Sequence, residues 1–146
     1  MKKALIAFAA LSLLLSGCKK DETTPGTTTT PANNSSFTWT AGSGSKVTAD
    51  SANYYSSITT IYAFKNGASN SIEINLSSLA VGAYSISSAT GNALTFVTSS
   101  TTYTAHSGNV NITTSNGTRL SGTFSASLSG GTLTSISGDF TNIPAR

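Results

Sequence analysis

An all-β fold, an antiparallel β-sandwich of about eight strands, is what this sequence predicts, and three features predict it. Between Gly108 and Phe140, apolar and hydroxylated residues alternate with a period of two, broken by two sets of turn residues. Ahead of that stretch lie further short β-branched and aromatic runs separated by Gly, Asn and Ser. Within these runs no segment has the apolar spacing of a helix. A lipocalin-like open barrel is the alternative way for such strands to close.

Taken in order, Phe37 and Trp39 alternate with Thr38 and Thr40 in a first strand, and Lys46 to Ala49 makes a short second one. Tyr54 and Tyr55 read as part of a loop leading into Ile58 to Phe64, a β-branched and aromatic run that ends at Lys65-Asn66-Gly67. Ile72, Ile74 and Leu76 then form the other arm of a hairpin, with Glu73 pointing outward. Tyr84 with Ile86, Leu94 with Phe96, and Tyr103 mark three further short strands, with His106 in the turn before Gly108.

The closing meander is the clearest part. Val110 and Ile112 share one parity, Ser115-Asn116-Gly117 turns the chain, and Leu120, Gly122, Phe124, Ala126 and Leu128 share the next. Ser129-Gly130-Gly131 supplies the second turn, and Ile136, Gly138 and Phe140 resume the alternation. The parity change after Leu133 predicts a bulge or a late strand entry. Pro144 reads as lying beyond the last strand. A core this lean in Leu, Ile, Val and Phe makes stability sensitive to Phe124 and Phe140.

Charge is uneven. The chain carries eight Lys and Arg against five Asp and Glu, but Lys2, Lys3, Lys19 and Lys20 all precede Glu22. Beyond Glu22 only Lys46, Lys65, Arg119 and Arg146 oppose Asp50, Glu73 and Asp139. A nearly neutral domain without clustered cations offers no track for a phosphate backbone, so nucleic acid is not an expected partner.

At the start, Met1-Lys2-Lys3 precedes an apolar run from Ala4 to Leu15. The run is shorter than the roughly 20 residues that span a bilayer and has the size of a secretory signal's apolar segment. Leu15-Ser16-Gly17-Cys18 follows and resembles the lipobox of bacterial lipoproteins; Cys18 is the only cysteine. The resemblance implies a signal peptide over 1–17, removal of which leaves Cys18 first and lipidated, with no thiol for a disulfide. Lys19-Lys20-Asp21-Glu22 is similar to the surface-export tag of some Gram-negative lipoproteins, which implies the exterior of the outer membrane, the periplasmic face being the alternative. The 18–36 segment, rich in Thr, Pro, Asn and Ser, reads as the lipidated cysteine and a flexible tether, and 37–146 as the all-β domain.

The pattern Leu79-x-x-Gly82-x-Tyr84-x-Ile86, then Gly108-x-Val110-x-Ile112-Thr113, Leu120-x-Gly122-Thr123-Phe124-Ser125 and Ile136-x-Gly138-x-Phe140 resembles a family of uncharacterised small lipoproteins of Gram-negative bacteria. The resemblance implies an exported all-β domain and carries no activity.

Chemistry is sparse. His106 is the sole histidine, which leaves no multi-histidine metal site, and no cofactor motif is present. A hydrolase would have to use His106 with one of many serines and an acid, or pair carboxylates from Asp50, Glu73 and Asp139 across a cleft at about 5–10 Å. Exposed aromatics are the other handle, and Tyr54 and Tyr55, with Trp39, are the candidates for stacking on a ligand. Asp50-Ser51-Ala52 resembles an O-glycosylation acceptor of some Gram-negative bacteria, which would place a glycan on Ser51. The expected function is therefore non-enzymatic: a lipid-anchored module binding a glycan or a protein at the cell surface, with a surface hydrolase and a structural envelope component as the alternatives.

Overall fold

The computed structural model describes residues 34–146; Cys18, the Lys19 to Glu22 segment and the tether as far as residue 33 lie outside them. The described residues contain ten strands and no α-helix. These are β1 (Ser36–Ala41), β2 (Val47–Thr48), β3 (Ser51–Tyr55), β4 (Thr60–Lys65), β5 (Asn70–Asn75), β6 (Gly82–Ile86), β7 (Ala93–Val97), β8 (Thr102–Ser115), β9 (Arg119–Ser129) and β10 (Ser135–Pro144). All pair antiparallel in one sheet of order β2-β1-β10-β9-β8-β7-β5-β4-β3, and β6 joins β8 beside β7.

The sheet is all-β and antiparallel, as the alternation requires, and it curls until its two halves face one another across the core. Both a sandwich and an open barrel describe such a curl. Trp39 of β1 meets Phe96 of β7 edge-on at 6.3 Å, although three strands separate them in the sheet. At the far end of the order, β3 comes against the end of β10: the Arg146 N–H donates to the Tyr54 carbonyl at 2.8 Å, and Tyr54 bridges Ala145 in parallel.

Curvature has local causes. The register slips at His106 and Thr113 in β8 and between Phe140 and Ile143 in β10, and an extra residue at each slip bends its strand. His106 is thus a bulge residue inside one long strand, not a turn residue between two. The alternation on either side of it belongs to that one strand, shifted in phase. β10 enters late, at Ser135, as the parity change after Leu133 predicts. Pro144 is the last residue of β10 rather than beyond it, paired with Arg119 at the start of β9. A strand's end tolerates a residue with no N–H to donate.

The core is built from rings lying over glycines. Phe124 is paired with Gly138 and Phe140 with Gly122. A side-chain carbon at Gly138 would stand 2.6 Å from the Phe124 ring and against the Thr38 carbonyl; one at Gly122 would stand 2.6 Å from the Phe140 ring. Each ring uses the space that its neighbour's missing side chain leaves. Phe37 then stacks on Phe140 (5.8 Å, 13°) and lies 5.4 Å from Phe124, with Trp39 edge-on to it at 6.2 Å.

Two substitutions test this packing. Phe124→Ala is expected to cost about 3–5 kcal/mol of unfolding free energy, measured as a lower urea midpoint at unchanged slope. Gly138→Ala is expected to destabilise as well, because the Thr38 carbonyl cannot swing away as a side chain can. A loss below about 1 kcal/mol in both contradicts the role given to these contacts.

Candidate functional site

Period-two geometry splits the Tyr54-Tyr55 pair. Both lie in β3, not in a loop: Tyr54 faces Ile61 on the core side and is 2% exposed, while Tyr55 pairs with Thr60 on the outer face. After Tyr55 a single 3-10 turn (Ser56–Ile58) and Thr59, in left-handed backbone (φ 49°), reverse the chain into β4. The Thr59 hydroxyl donates to the Leu76 carbonyl and the Leu76 N–H returns to the Thr59 carbonyl, so the reversal is tied to the end of β5. Ile58 is left 56% exposed beside Tyr55.

In β4, Ile61 and Ala63 are fully buried, so Tyr62 and Phe64 point out. Tyr55 and Tyr62 meet at right angles (5.8 Å, 83°), and Tyr62 and Phe64 lie parallel at 6.0 Å. With Ile58 these rings line an open hollow of about 310 Å³. It is an apolar concavity on the outside of a sheet that is otherwise hydroxylated.

Polar groups flank it. Glu73 of β5 stands directly across from Tyr62, and Asn75 across from Thr60. The Thr60 hydroxyl donates to Asn75 Oδ1 (2.6 Å), and Asn75 Nδ2 donates to Glu73 Oε1 (2.8 Å), a relay that fixes the carboxylate beside the rings. Partial burial, and then the Glu73 charge, push the Tyr62 hydroxyl above its ordinary value.

The other sequence candidates do not join this patch. Trp39 is 2% exposed, sealed between Phe37 and Phe96. A ring with no open face cannot stack on a ligand, and Tyr54 is closed off in the same way. The Tyr54 hydroxyl and Asn53 Oδ1 are buried without a hydrogen-bond partner, which costs stability at this edge strand. Ser51 is exposed at the start of β3, opposite Phe64, and open to modification. Ser51 and Asn53 also line a cleft of about 210 Å³ where β3 meets Pro144 and Arg146.

His106 is exposed, and its side chain makes no hydrogen bond or ion pair among the described residues. The carboxylates are dispersed. Asp139 in β10 and Glu73 in β5 stand four strand spacings apart, about 19 Å along the sheet. Asp50 pairs with Lys65 and accepts the Asn66 N–H; Asp139 pairs with Lys46 and accepts the Thr38 hydroxyl. A second groove, of about 310 Å³, runs past Thr38, Thr40, Lys46, Ser137 and Asp139. Its charges already satisfy one another, which leaves a ligand less to gain there than at the rings. Among the described residues no three His, Cys, Asp or Glu group together.

Sequence reasoning passed over Phe64 and Ile58 and ranked Tyr62 below Tyr54. The signal was present in the parity of Ile61 and Ala63 against Tyr62 and Phe64. Both parities being apolar, neither declared itself the outer one.

Comparison of the chain with protein-family models, with curated proteins and with solved structures found no match.

Asp139 gives the stability of the domain a pH dependence. Burial raises its carboxyl, but the Thr38 hydroxyl and Lys46 outweigh that and hold it below the ordinary value of 3.8. Stability from a depressed acid is present above the ordinary value and lost as pH falls through the lower folded one. Asp50 is depressed in the same direction, chiefly by Lys65. Thermal melts from neutral pH down to about pH 2 are expected to show the loss setting in about a unit above 3.8 and growing as pH falls below it. Asp139→Asn is expected to shrink that loss; an unchanged acid limb refutes the assignment.

Proposed function

We propose that this chain is an outer-membrane lipoprotein, held by acyl chains on Cys18 and facing the exterior, whose β domain binds glycan without catalysing a reaction on it. The observation that carries the binding reading is the outward hollow of Tyr55, Ile58, Tyr62 and Phe64. Sugar rings offer C–H faces that pack on aromatic rings and hydroxyls that need hydrogen-bonding partners at the rim. Glu73, Asn75 and the serines Ser51 and Ser71, on the same outer face, are partners of that kind. The dispersal of His106 and the carboxylates supports binding over hydrolysis.

Anchoring is supported by the lipobox-like Leu15-Ser16-Gly17-Cys18, and an exterior position by Lys19-Lys20-Asp21-Glu22. Two or more acyl chains hold a protein far longer than one, at about 0.8 kcal/mol per buried methylene. The Thr-, Pro-, Asn- and Ser-rich composition between Lys19 and Asn33 supports a tether between anchor and domain.

Titration against a panel of oligosaccharides is expected to find a ligand whose affinity falls about tenfold or more in Tyr62→Ala and Tyr55→Ala. Tyr54→Phe, which alters only a core hydroxyl, is expected to leave it unchanged. Equal binding by all four proteins removes the patch from consideration. For the anchor, Cys18→Ser is expected to shift the protein from the detergent phase to the aqueous phase and to abolish labelling by a fatty-acid analogue. A mature chain that retains residues 1–17 and a free thiol overturns the lipoprotein reading.

A further inference from the structure

We infer that the glycan taken by this patch carries a protonated amine, as an oligosaccharide of non-acetylated hexosamine does. The inference rests on the glycan-binding reading and adds the charge of the ligand to it.

The argument begins with the acids. Three side-chain carboxylates fall among the described residues: Asp50, Glu73 and Asp139. Lys65 neutralises the first and Lys46 the third. Glu73 alone takes part in no ion pair among the described residues, and it is the one beside the rings. The groups Glu73 meets, the Asn75 amide and the Tyr62 hydroxyl, are neutral, so they orient the carboxylate without cancelling its charge.

The rings point the same way. The negative faces of Tyr and Phe attract cations, and ammonium groups can be held against them. Among the described residues no Lys or Arg of this chain occupies the hollow, whose lining is Tyr55, Ile58, Tyr62 and Phe64. Lys65, next in sequence to Phe64, is turned to Asp50 at 2.5 Å. Two features on different strands, an oriented carboxylate on β5 and ring faces on β3 and β4, thus favour positive charge at the rim where Tyr62 meets Glu73. A neutral sugar would use the rings and leave the carboxylate without an opposite charge.

The test is calorimetric titration of the full chain in detergent with glucosamine oligosaccharides, their N-acetylated counterparts and neutral glucose oligosaccharides of equal length. The amine form is expected to bind about tenfold or more tighter than the other two, with the preference shrinking as salt is raised. Glu73→Gln keeps an acceptor for Asn75 and is expected to erase the preference without moving the melting temperature. Tyr62→Ala is expected to weaken all three ligands together. Equal affinity for amine and neutral forms, lost in Tyr62→Ala, overturns the amine inference and leaves the glycan reading standing. Amine binding that survives both variants locates the attraction elsewhere and overturns the inference as well. No binding of any oligosaccharide overturns both.

Discussion

The fit of Phe124 over Gly138 and of Phe140 over Gly122 is the constraint on which the rest of this structure depends. With few large aliphatic side chains, the domain fills its interior by giving each ring of one strand the room its neighbour's glycine leaves. That arrangement lets Phe37 stack on Phe140 and lie tilted against Phe124, and hands Trp39 on to Phe96 across the core. The sheet is held curled by an aromatic chain, and the curl decides which faces are inner and outer. Without it, β3 would not reach Ala145 and the convex side of β3 to β5 would not be a distinct surface.

Seen from this inner packing, the outer patch has a simple origin. β3 and β4 send Tyr54, Ile61 and Ala63 inward, so whatever alternates with them faces out. In β8 to β10 the alternating residues are mostly Ser, Thr and Asn; in β3 and β4 they include Tyr55, Tyr62 and Phe64. The domain thus spends aromatic side chains on a surface although its core is lean. A chain under pressure to bury apolar area gains no stability from rings left half exposed. Their placement, with Glu73 oriented alongside, is the physical ground for treating this surface as a site.

Much of the architecture was legible in the residues. The period-two pattern of Val110, Ile112, Leu120, Phe124, Ala126 and Leu128 fixes both faces of the meander, since only one parity there is apolar. The same reasoning failed where both parities are apolar, as in Ile58 to Phe64, and where an extra residue slips the phase, as at His106. Tyr54 looked available because Asn53-Tyr54-Tyr55 lies between short motifs, yet register against Ile61 buries it. Nothing local encodes the approach of Trp39 to Phe96, because that distance belongs to the curl of the whole sheet. The relay from Thr60 through Asn75 to Glu73 likewise joins residues whose relation exists only once β4 and β5 are paired.

The pairing of β1 with β10 has a consequence for how the chain is made. Thr38 and Asp139, 101 positions apart, sit side by side, so the strand translated first in the domain finds its long-range neighbour only when the last one has been synthesised. Contacts of such separation form slowly. A nascent polypeptide of this topology therefore leaves the ribosome with β1 matched only to the two-residue β2, its other edge open until β10 follows.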